Sequence, residues 1–99
     1  QGNFPRVLVM TFSEFGRRVS ENANGGTDHG AAAPMFLVGE KVKAGFLGQC
    51  PSLAPADLFN GDLKFTTDFR AIYAGVLEGW LTTPSAPVLG RQFEPVRVV

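Results

Sequence analysis

One histidine occurs in the chain, and its neighbours make it the first residue to weigh. His29 stands in Gly26-Thr27-Asp28-His29-Gly30, a glycine-rich stretch leading into an apolar run. A neutral imidazole beside a carboxylate is a natural ligand pair for zinc, manganese or iron, and the flanking glycines let the backbone bend so that both reach one ion. The same residues also read as a surface turn in which Asp28 caps the backbone and His29 is solvated. Glu14 is the second carboxylate of interest. It follows an apolar run, and ligands bind at the carboxyl ends of strands in open α/β sheets. Its other reading is an ion pair with Arg17 or Arg18. Those adjacent arginines suit a bidentate clamp for phosphate or sulfate, or else form a solvated rim. Ser13 and Thr11 offer hydroxyls without a local histidine base, which argues against a serine hydrolase. Tyr73 and Trp80 fall on the apolar stripe of a helix, where packing explains them.

The elements that must position these residues follow from the apolar pattern. Arg6 to Phe12 is almost continuously β-branched and apolar, which predicts a central strand buried on both faces of a parallel sheet. Ser13 to Arg17 then lie in the loop at its carboxyl end. Residues 20–30 contain three glycines, two asparagines and no large apolar side chain, and predict an exposed loop. Pro34 to Gly39 reads as a second short buried strand. From Glu40 to Phe65, glycines and prolines punctuate an irregular segment, with a hairpin around Asn60-Gly61, and so long a stretch suits a chain draped over a larger body. The spacing of Phe69, Ile72, Tyr73, Val76, Leu77, Trp80 and Leu81 predicts an amphipathic helix over about 67–81, capped by Thr66 or Thr67, with Asp68 in its first turn. Thr82-Thr83-Pro84 stops it. The tail after Pro87 predicts at most an edge segment.

Composition narrows the function classes. A chain of 99 residues fits one small domain, and 44% hydrophobic residues exclude a disordered tail, while 12 glycines and 7 prolines make it loop-heavy. Net charge is zero, with no basic cluster beyond Arg17-Arg18, so neither nucleic acid nor an anionic membrane is an expected partner. Small molecules or proteins are. The single Cys50 rules out an internal disulfide and a thiolate zinc site. No run approaches the roughly 20 apolar residues of a membrane span, and the first residues lack the pattern of a signal peptide. Opening without Met, almost directly on a strand, the chain reads as cut from a longer protein.

Three blocks carry a more specific likeness: Val7 to Arg17, then Glu21 to Gly30, then Asp62 to Leu81. Together they resemble the carboxy-terminal part of the bacterial family catalogued as domain of unknown function 1501, itself similar to the alkaline-phosphatase/sulfatase superfamily. The resemblance implies the carboxy-terminal portion of an α/β/α layered sheet, an incomplete superfamily domain. It supports two placements of that superfamily's metal motif. In one, Asp28-His29-Gly30 is the Asp-His-Gly motif itself. In the other, which fits the chain order better, Ser13-Glu14-Phe15-Gly16 takes its place and His29 stands for a later histidine. Phe15 then replaces a metal-binding histidine.

The resemblance further implies Glu14, Asp28 and His29 as ligands for a divalent metal (zinc, manganese, calcium or iron), with Arg17 as anion clamp and the nucleophile upstream. Two functions follow. One is a fragment of a metal-dependent phosphate- or sulfate-ester hydrolase, inactive alone; the other is a non-catalytic, exported binding or scaffold protein on the same fold. The resemblance also implies that the parent protein is exported, to the periplasm or cell surface, as family members commonly are, often with a twin-arginine signal. The implied partners are a small-molecule ester or anion, and either a second copy of the chain or its upstream half.

Overall fold

A β hairpin and one three-turn helix organise the chain, each in its own unit. The computed structural model describes residues 2–99. One unit comprises Val9–Leu37 and Gly48–Thr66, the other the chain up to Leu8 with Val38–Leu47 and Thr67–Val99. The elements make a mixed α/β arrangement in which the sheet is incomplete, since neither sheet exceeds two strands.

In the first unit, β2 (Gly16–Glu21) and β3 (Thr27–Gly30) pair antiparallel. Gly16 lies opposite Gly30, Arg17 opposite His29 and Glu21 opposite Thr27, with an irregularity between Arg17 and Glu21. The expected exposed loop over 20–30 is therefore largely strand and hairpin tip. Asn22 makes the tip: its Oδ1 accepts the N–H groups of Asn24 and Gly26 at 3.0 and 3.1 Å, and its own N–H reaches the Gly26 carbonyl at 2.8 Å. That asparagine turn supplies the reversal, and ladder bonds between polar residues stabilise the strands in place of burial.

The apolar run at Arg6 to Phe12 does not become a central strand. Phe4–Arg6 is a 3₁₀ turn with proline inside it, and β1 is only Val9–Met10, paired with β4 (Leu37–Val38). Thr11 ends the pairing. Its N–H donates to the Phe36 carbonyl at 2.9 Å, but its hydroxyl, where a backbone carbonyl would continue the ladder, accepts the Phe36 N–H at 2.9 Å. Phe12 is 78% exposed and Phe36 62%. The second expected strand, Pro34 to Gly39, is likewise reduced to β4.

The hairpin expected at Asn60-Gly61 is present. Phe59 and Asp62 exchange N–H···O bonds of 2.9 Å, and both turn residues take positive φ, 49° and 75°, as a two-residue type I′ turn requires. Apart from this bridge and a 3₁₀ turn at Pro55–Asp57, the stretch from 40 to 65 is irregular, as its glycines and prolines predict.

In the second unit α1 spans Phe69–Gly79. Its cap is Asp68, not Thr66 or Thr67: Asp68 Oδ1 accepts the Arg70 N–H at 2.9 Å. The Thr66 hydroxyl is committed elsewhere, donating to the Gln49 carbonyl at 2.5 Å. At the other end Leu81 and Thr83 turn their N–H groups back to the Val76 and Leu77 carbonyls, and Thr82 adopts φ 53°. A single further turn, α2, covers Ala86–Leu89.

The tail is not a sheet edge. It lies along α1, where Val96 donates its N–H to the Ala71 carbonyl at 3.0 Å and Val98 accepts from the Lys43 N–H at 2.9 Å. Gly75 makes this approach possible, because a Cβ there would stand 1.8 Å from the Val96 carbonyl oxygen. Among the described residues, Ala74 and Val98 are the fully buried hydrophobic ones.

Candidate functional site

The β2–β3 hairpin collects most of the residues singled out in the sequence. Side chains alternate along a strand, and directly opposed residues share a face. Phe15, Arg17 and His29 therefore lie on one face, and Gly16, Arg18 and Gly30 on the other.

The open face carries the chemistry. Phe15 and His29 stack with ring centroids 3.5 Å apart and planes inclined by 13°. The Arg17 guanidinium carbon stands 5.2 Å from the centre of the Phe15 ring, and Nη1 donates to the Thr27 carbonyl at 2.7 Å. Arg17 and His29 are both exposed. Beside this face is an open depression of about 690 Å³, shared by Phe15 and Arg17 and walled by Phe12, Pro34, Phe36 and Leu63.

The opposite face is closed by backbone. A Cβ on Gly16 would meet the Ala32 carbonyl oxygen at 1.7 Å, so the chain crosses there only because Gly16 has no side chain. At Gly30 the equivalent space holds the Asp62 carboxylate, whose Oδ2 accepts the Ala31 N–H at 3.0 Å. Arg18 reaches across to the turn at 59–62, donating to the Asn60 carbonyl.

The expected ligands do not share a point. Asp28 and His29 are consecutive residues of β3 and project to opposite faces, and Asp28 Oδ1 accepts from the Asn22 side-chain amide at 3.1 Å. Glu14 is exposed in the bend before β2. Among the described residues no three His, Cys, Asp or Glu side chains group to hold a metal ion. Glu14, Asp28 and His29 alone thus do not fit a divalent metal, which needs several donors converging on one centre.

Arg17 is placed where an anion can reach it, whereas Arg18, its expected equal, is a structural tie. Two contributions escaped the sequence reading. Phe15, expected only as the residue replacing a metal-binding histidine, is the surface on which His29 rests, and with a loop expected over Ser13 to Arg17 the sequence carried no signal for it. Asp62 gave none beyond lying next to Asn60-Gly61.

The profile of the family described as "Protein of unknown function (DUF1501)" matches residues 1–89, and the chain belongs to that family. No curated protein and no solved structure is significantly similar to it.

Proposed function

We propose that this DUF1501-family chain forms an anion-binding wall for phosphate or sulfate esters and performs no catalysis by itself, any nucleophile lying outside it. The observation that carries the reading is the open face of the hairpin, where Arg17 and His29 stand opposite each other in the ladder and Phe15 stacks on the imidazole. Arg17 gives one N–H to Thr27 and keeps the rest of its planar fork for a tetrahedral anion. Among the described residues the only ion pair joins Asp68 and Arg70, so no carboxylate neutralises Arg17 there. His29, fixed in plane by Phe15, offers a ring N–H to the same ligand. The depression beside them is walled by aromatic and aliphatic groups suited to the organic body of an ester.

Metal is a separate matter on this reading. Among the described residues no three donors group around one point, so no step is assigned to an ion held by them.

The test is calorimetric titration of the full-length protein with inorganic phosphate and sulfate, with metal content measured in parallel on wild type, Arg17→Ala and His29→Ala. Saturable binding of both anions is expected, weakened roughly 10- to 100-fold in Arg17→Ala, the loss of one or two charge-assisted hydrogen bonds. Absence of saturable binding overturns the proposal. A stoichiometric metal that disappears in His29→Ala replaces it with a metal-ligand role for His29.

A further inference from the structure

Asp62 holds a buried side-chain oxygen, Oδ1, with no hydrogen-bond donor among the described residues, while Oδ2 takes the Ala31 N–H at 3.0 Å. The contact joins residues 31 positions apart in the chain. Oδ1 rests against Gly30: a Cβ there would stand 2.6 Å from Oδ1 and 2.7 and 2.9 Å from the Arg17 carbonyl carbon and oxygen, so glycine admits both the carboxylate and the facing strand. The turn that delivers Asp62 is held in its own right, by the paired bonds of Phe59 and Asp62 and by the Arg18 guanidinium on the Asn60 carbonyl. Both strands of the hairpin are therefore tied to one turn, Arg18 from β2 and Ala31 from the end of β3, on the face turned away from Phe15, Arg17 and His29.

We infer that Asp62 is a positioning residue for His29. By anchoring the backbone immediately after Gly30, it fixes the register in which His29 faces Arg17 and lies flat on Phe15. A buried acceptor without a protein donor is unfavourable to folding, so the carboxylate is held there by its bond to Ala31 and by the turn that carries it. The functional side of the inference rests on the anion-binding reading; the geometric side does not.

The experiment separates the two. In protein labelled with ¹³C-histidine, His29 signals are assigned by their loss in His29→Gln, and the ring current of Phe15 shields the imidazole protons in wild type. Asp62→Ala is expected to move those protons downfield, toward a solvated histidine, and to weaken binding of inorganic phosphate by roughly 10-fold. Asp62→Asn keeps an acceptor for Ala31 and is expected to retain both wild-type values. Unchanged imidazole shifts in Asp62→Ala overturn the positioning role, as does a wild-type imidazole without shielding. Wild-type protein that binds no phosphate while its imidazole still responds to Asp62→Ala refutes the anion reading and leaves the positioning role standing.

Discussion

Replacing Gly75 by alanine opposes two effects of opposite sign, and the structure decides which wins. In an exposed helix interior the change stabilises by about 1 kcal/mol through helix propensity. At Gly75, however, the new Cβ would stand 1.8 Å from the Val96 carbonyl oxygen and 3.0 Å from its carbonyl carbon, and both are backbone atoms. The tail has to lift from α1. Lifting it forfeits the Val96 N–H bond to Ala71, a net contribution of about 0.5–1.5 kcal/mol. It also exposes Val98, now 1% accessible, whose burial contributes about 1.5–3 kcal/mol. Less the propensity gain, a net destabilisation of about 1–3.5 kcal/mol is expected. Urea denaturation followed by far-UV circular dichroism measures it. Gly79→Ala is the internal control, because its Cβ would meet only Val99 Cγ2, at 2.7 Å, the movable end of a side chain. That variant is expected to be neutral or stabilised. A Gly75→Ala protein more stable than wild type would refute the docking of the tail on α1.

Asp68 makes stability depend on pH. The Arg70 guanidinium, hydrogen-bonded to it, and then the Arg70 backbone N–H lower its pKa from 3.8 to about 2. A depressed carboxyl contributes stability that is complete above the unfolded value and lost as pH falls toward the folded one. The advantage of wild type over Asp68→Ala, about 0.5–2 kcal/mol for a lost cap, should therefore fade between 3.8 and about 2 in urea melts taken across that range. Gly16→Ala drives a Cβ to within 1.7 Å of the Ala32 carbonyl oxygen, and should cost about 1–3 kcal/mol in the same melts and remove the shielding of the His29 ring protons. An unaltered imidazole spectrum would refute the crossing at Gly16.

The parts of the fold legible in the sequence are those governed by local rules. The helix at Phe69–Gly79 follows from its apolar spacing, and the turn at Asn60-Gly61 follows from the need for two positive φ values. The cap slipped to Asp68 because Thr66 was drawn into a bond with Gln49, a contact across 17 residues that no window of sequence contains. Hydrophobicity misled at Val7 to Phe12, where apolar character was read as burial, yet β1 has a partner along only two residues and Val9 is 52% exposed. Lack of hydrophobicity misled over residues 20–30, where an asparagine turn and a polar ladder made a hairpin. For the candidate site, local motif and resemblance singled out Arg17 and His29 as expectations. Their pairing depends on a register that only the structure supplies.

Glycine is the thread between these errors and the site. In each unit a stretch of backbone passes so close to a glycine that no Cβ could be accommodated, Ala32 at Gly16 and Val96 at Gly75. Fully buried hydrophobic side chains are few, only Ala74 and Val98 among the described residues. A core of large side chains advertises itself by periodicity, whereas a backbone crossing needs one small residue and leaves no repeat to detect. The stack of Phe15 on His29 consequently depends less on what touches those two rings than on what closes the hairpin behind them. Gly16 admits Ala32 beside Phe15, and Gly30 admits Asp62 beside His29. Substitutions at these glycines, which touch neither ring, should therefore disturb the imidazole at least as strongly as changes around the ring edges.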